Sequence, residues 1–353
     1  TANTTLVARI VIEPTTGSTT NQLATSSVSS AVQAGSWALL LAGDATTVEV
    51  QVLVLLLQAA CGSAFDAGLS AILKYFVSPF ITLGPAWMVG GNAAIMAGVA
   101  LLHALVVLGA SQLKELPLKD AAALVLFPSI PMLVAGALYT GVAFGAFLGL
   151  AEGGIGAIIG GAVGLPVVLG LPALVFVLGW RVFRDDGYAL KEDTPKRSAL
   201  VRFILPRGHW TPAASRRMTA GAHGWVHLAS RKPVALLPFA IAVLASLFIA
   251  IPVDCKIRYG LVLGLCVAAS ALTFGLRPHR SQLVSCLSGG AFASNALLAV
   301  ALIIDSEIMK IIFTAITLVL MLLRLIHAVA MLFAEKIAVA GEGEDKDGKY
   351  NAK

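Results

Sequence analysis

Charge is what this chain has least of. Of its 353 residues only 12% are Asp, Glu, Lys or Arg, while 58% are hydrophobic, and the mean hydropathy is +0.88. A water-soluble domain carries about 25% charged residues. So few charges cannot cover so much apolar surface, so most of the chain must be solvated by lipid. Other signals are missing too. There is no basic stretch followed by an apolar one at the N-terminus, hence no visible signal peptide, and the chain starts at Thr1 rather than Met. It is therefore expected to be processed, or to be the C-terminal part of something longer. No nucleophile elbow, P-loop or zinc-protease helix occurs. "GGIGAIIGG" is spaced G-x-G-x-x-x-G with no strand before it, which does not fit a dinucleotide fingerprint. No catalytic residue, cofactor or metal is expected.

What is present is a succession of apolar runs. Nine segments lie near 27–43, 47–62, 87–111, 121–149, 154–182, 233–252, 258–276, 284–304 and 308–333. The expected fold is an all-α integral membrane protein of about nine spans, with the N-terminus outside and the C-terminus inside. The first two runs are the weakest. One is rich in Ser and Ala; the other is short and holds Glu49 and Gln51 at one end. Either could lie in the interface, since a span needs about 20 apolar residues.

The division expected is a juxtamembrane segment 1–26, a membrane domain 27–333 and a disordered tail 334–353. "TLVARIVIEP" alternates like a strand, and a Ser/Thr-rich link follows. Asn3-Thr4-Thr5 fits the N-glycosylation pattern. The connector 183–232 is basic. With the N-terminus outside, nineteen Lys and Arg fall inside and five outside. That asymmetry sets orientation. It also explains the +6 net charge without nucleic acid. Acidic lipid headgroups are the expected partners of this connector, through "RSALVRFILPRGHW" and an interfacial helix carrying Trp210, His223, Trp225 and His227. His223 and His227, with His209 nearby, also have the spacing of a metal pair.

"YFVSPFITLGPAWMVGGN", residues 75–92, is apolar but broken by Pro79 and Pro85. Residues before proline avoid helix, so "SPFITLGP" is expected to be a broken turn packed against protein. It would follow an outer-leaflet helix over 63–77, with Lys74 snorkelling to headgroups and Trp87 in the aromatic belt.

Gly141, Gly145 and Gly149 recur every fourth residue, as do Gly156, Gly160 and Gly164. Such stripes let backbones approach, predicting a tight hairpin of spans four and five. Cys61 and Cys255 both fall at the outer edge, where a disulfide can form; their separation is not set by sequence. Cys266 and Cys286 read as packing residues. Ionisable residues inside spans are functional candidates, and His103, Arg324 and His327 are those candidates. The absence of a mid-span acid argues against an ion-coupled transporter.

"KYFVSPFITLGP" with "GGN", "LFPSIP", "LPRGHWTP" and "LRPHRSQL", in that order, resembles the C-terminal multispan region of the giant surface proteins of the dispersed gene family of trypanosomatid protozoa. The resemblance covers about residues 25–305 and implies a large extracellular region rich in β-structure before the membrane part. It also implies cysteines at the positions of Cys61 and Cys255, a plasma or flagellar membrane location, and no catalytic residues. A membrane anchor or assembly subunit for a cell-surface structure is the expected function. A channel or transporter is the alternative.

Overall fold

The computed structural model describes residues 45–61, 74–185, 189–192, 203–204, 208–211, 234, 236–279 and 281–327. Helices in chain order are α1 (Ala45–Ala60), α2 (Pro85–Leu113), α3 (Leu118–Leu124), α4 (Ser129–Glu152), α5 (Ile155–Asp185), α6 (Leu237–Ala250), α7 (Cys255–Leu276) and α8 (Gln282–Ile303). A further helix, α9, spans Glu307–His327. Six of these, α2, α4, α5, α7, α8 and α9, are long and apolar enough to cross a bilayer. They mark an integral membrane protein.

The long helices form two groups of three, each strung in sequence order. In the first, α4 packs against both α2 and α5; in the second, α8 packs on α7 and is hydrogen-bonded to α9. Within each group the middle helix is mostly buried, α4 over 72% and α8 over 67% of its apolar window. The outer helices present Leu101, Leu105, Ile159, Val163, Ile311 and Leu322 outward, as surfaces bathed in lipid require.

Two short helices sit between the groups. α6 packs on α4, α1 and α7, and α1 touches α4 and α8. At 16 residues α1 is about 24 Å long, and the 14 residues of α6 give about 21 Å, both short of a hydrocarbon core of about 30 Å. Their lengths suffice because protein, rather than lipid, surrounds them. In α1 every side chain described from Val48 to Ala60 is at most 3% exposed. A helix enclosed on all faces, its Glu49, Gln51 and Gln58 included, lies in an interior, and the second apolar run is therefore the centre of the bundle. The first run, 27–43, lies outside the described residues, as do 1–26 and 334–353.

Two elements differ from the sequence expectation. Run 121–149 is not one helix. Pro128 supplies no backbone N–H, and Leu126 takes a positive φ of 59°, so the chain breaks between α3 and α4. α3 folds back on α2, with Val107, Ala121 and Ala122 in contact. The connector contains β-structure: β1 (Ala189–Glu192) pairs antiparallel with β2 (Gly208–Thr211), with Leu190 opposite Trp210 and Lys191 opposite His209. Trp210 and His209 are thus on a strand, not an interfacial helix.

Candidate functional site

The end of the bundle where α1 stops and α7 starts is closed by covalent and polar bonds. Cys61, just past α1, is disulfide-bonded to Cys255, the first residue of α7, with Cα atoms 6.0 Å apart. Gln58, one turn earlier, accepts a hydrogen bond from Thr314 of α9 at 3.2 Å. One short helix is thereby fastened to α7 and α9. At the same end Lys310 donates to Asp305 (2.5 Å) and Glu307 (2.7 Å) and is only 6% exposed at its side chain. That contact holds the exposed Asp305 carboxyl below its usual range. Arg258, also buried, donates from Nε to the Ile251 carbonyl at 2.9 Å.

The broken stretch 75–92 packs on α4 at Gly141 and Gly145, deeper in the bundle. Lys74–Val77 are helical, Ile81–Leu83 form a single 3-10 turn, and Gly84 takes a φ of 96° before Pro85 starts α2. Ser78 is the hinge: its Oγ accepts from the Phe80 N–H (3.1 Å) and from Asn92 Nδ2 (3.1 Å). Asn92 is fully buried and lies over Gly141, where a Cβ would collide with it and with the Val77 carbonyl. The elbow is thus packed on α4. Trp87 is 60% exposed, as an aromatic belt residue should be, but Lys74 is 6% exposed. Lys74 does not snorkel. It is folded under the elbow with its ammonium 5.5 Å from the Tyr75 ring, and burial pushes it below its ordinary range. Residues 62–73 are outside the described set.

The glycines divide their work among three helices. Gly145 meets Pro85 and Met88 of α2; Gly149 meets the Ala157 carbonyl of α5. Gly160 meets Ala86, and Gly164 meets Val89 and Ala146. Gly161, which the fourfold spacing misses, meets the Ala146 carbonyl and Leu150. Gly156 has nothing within 4 Å. The expected hairpin is therefore one edge of a three-helix seam that also admits α2. Deeper in this group Pro172, inside α5, cannot donate to the carbonyl four residues earlier. That carbonyl, of Val168, accepts from the Tyr139 hydroxyl at 2.7 Å, which answers the need for a partner in lipid.

Of the intramembrane candidates, His103 binds the Val125 carbonyl through Nε2 (2.8 Å) and stands edge-on to Phe127. It fastens the α3–α4 break to α2. His327 binds the Ile204 carbonyl through Nε2 (3.0 Å), and Ser281 donates to the same oxygen (2.8 Å). Together they hold Phe203–Ile204 of the basic connector against the ends of α8 and α9. Arg324 is 3% exposed, so it is enclosed by protein and does not snorkel. The candidate list also missed Glu49. It sits in α1 at 3% exposure, beside the Thr140 hydroxyl of α4.

Cys266 is buried and Cys286 exposed, both as thiols. Among the described residues no three metal-ligating side chains converge; His223, His227, Trp225 and Asn3 lie outside them. Compared with protein-family models, with curated proteins and with solved structures, the chain matches none.

Proposed function

We propose that this chain is a non-enzymatic multispan membrane anchor or assembly subunit for a cell-surface structure. One observation carries the reading. The central helix α1, nearest to the N-terminal segment among the described helices, is fastened at its end to α7 by the cystine and to α9 by Gln58 and Thr314. A pull applied through the N-terminal segment would pass from α1 directly into the α7–α8–α9 group. The cystine favours an oxidising outer face for that end. The basic connector and its headgroup contacts then lie inside, giving nine spans, an outside N-terminus and an inside C-terminus. The resemblance to the trypanosomatid surface proteins supports the same reading, with a plasma or flagellar membrane and an extracellular partner or upstream ectodomain.

A second reading, a channel or transporter, is favoured by Glu49, an enclosed carboxyl in a membrane bundle. The test separates the two. Surface-biotinylated cells expressing the chain are solubilised and the chain is purified. The anchor reading expects a stoichiometric extracellular component, lost when residues 1–26 are removed. Selective solute flux in proteoliposomes, with no such component, would overturn it.

A further inference from the structure

We propose that Glu49 and Thr140 form a proton-binding site in the middle of the membrane domain, in which Glu49 is held as the neutral acid. Depth comes first. Twelve residues separate Glu49 from Cys61, so at about 1.5 Å per residue it lies ~18 Å below the cystine end. Thr140 is twelve residues before Glu152, where α4 ends on the same side, and so lies at the same ~18 Å. In a hydrocarbon core of about 30 Å that is close to the midplane.

The surroundings come second. Glu49 is 3% and Thr140 0% exposed. Among the described residues Glu49 Oε2 and Thr140 Oγ1 both lack a well-formed hydrogen bond, although the two side chains are neighbours. A carboxylate in that position would need several donors or a cation. α6 carries no titratable side chain, and α8 carries only Cys286, near its opposite end. On α4, Tyr139 is committed to the Val168 carbonyl, and Glu152 is at the far end; in the elbow that packs on Gly141, Lys74 stands over the Tyr75 ring. On α9, Lys310 is held by Asp305 and Glu307. The Gln58–Thr314 bond sets the register between α1 and α9. It places Arg324 at about the depth of Glu49; among the described residues the polar side chain that reaches the Glu49 carboxyl is Thr140. An acid with its proton on needs only one acceptor and can offer its O–H to Thr140, so the proton resolves what the neighbours do not. α1 can then seat between the two helix groups only with that proton bound.

Dicyclohexylcarbodiimide, an apolar reagent that adds to protonated carboxyls, is the probe. The acid's proton passes to a carbodiimide nitrogen and the carboxyl oxygen bonds to the central carbon; nothing leaves. The full chain in micelles is treated at pH 7 and its peptides are analysed by mass spectrometry. Glu49 should be modified on the order of 10²-fold more than the exposed Glu307, whose carboxylate is ion-paired with Lys310. Glu49→Gln, which mimics the neutral acid, should abolish the adduct and keep the wild-type melting temperature. Equal or absent modification of Glu49 overturns the proposal. So does a Glu49→Gln protein that melts earlier, the mark of an ionised Glu49 paired with Arg324. Protection by sodium at fixed ionic strength also overturns it, by assigning the site to a metal cation.

Discussion

The two groups of three helices solve one problem by different chemistry. Lipid gives no hydrophobic push between apolar helices, so they must be joined by close packing or by hydrogen bonds. The group α2–α4–α5 relies mainly on the first route, beside the one Tyr139–Val168 hydrogen bond described above. Glycines on α4 and α5 let main chains touch, as where Gly149 faces the Ala157 carbonyl. The group α7–α8–α9 uses the second. Ser270 donates to the Gly289 carbonyl (2.9 Å), Ser294 pairs with Thr317 (2.9 Å), and Thr317 donates to Asn295 (3.3 Å). The first group tolerates almost no added volume at its seam. The second should tolerate volume better than it tolerates losing a hydroxyl.

Breaking the cystine tests whether α1 stays seated on the α7–α8–α9 group without a covalent tie, and should have the largest effect. It closes a loop of 194 residues, for which chain entropy gives a loss of up to about 5 kcal/mol. Cys61→Ser and Cys255→Ser should each lower the melting temperature by similar amounts, and the double variant should add little to either. Next come the seams. Gly149→Leu should cost ~3 kcal/mol or more, since a backbone carbonyl cannot step aside. Gly156→Leu, at an open position, should cost well under 1 kcal/mol by detergent unfolding. Thr317→Val keeps the volume and removes the hydroxyl, and should cost about 1 kcal/mol. If Thr317→Val proves the worse of Gly149→Leu and Thr317→Val, the contrast is misdrawn.

The smallest effect is a pH dependence at His279, in the α7–α8 turn. Burial pushes its pKa from 6.5 down to about 3. The unfolded chain therefore takes up a proton that the folded one refuses, and stability falls as pH drops from about 6.5 toward about 3. His279→Gln should flatten this part of the pH–stability curve.

Much of the membrane part was legible in sequence, and the reason is physical. Runs such as 87–111 and 284–304 must be helical once in lipid, and α2 and α8 occupy them. Glycine spacing pointed to the seam because closeness needs missing side chains. Proline punctuation located the elbow. What escaped depends on partners distant along the chain. α1 looked weak because it is short and carries Glu49 and Gln51, yet shortness suits a helix that never reaches lipid. Lys74 reads as a snorkelling residue until the elbow is seen to cover it. Tyr139 gives no hint in its own segment that a proline in α5 has left it a carbonyl. The β1–β2 ribbon was hidden by its length, four residues a strand.

The cystine carries one more implication. Cys61 precedes the basic connector and Cys255 follows it. A protease that nicks the connector would sever the main chain without separating the pieces. On a non-reducing gel the cut protein should still migrate as one species, and thiol should release two.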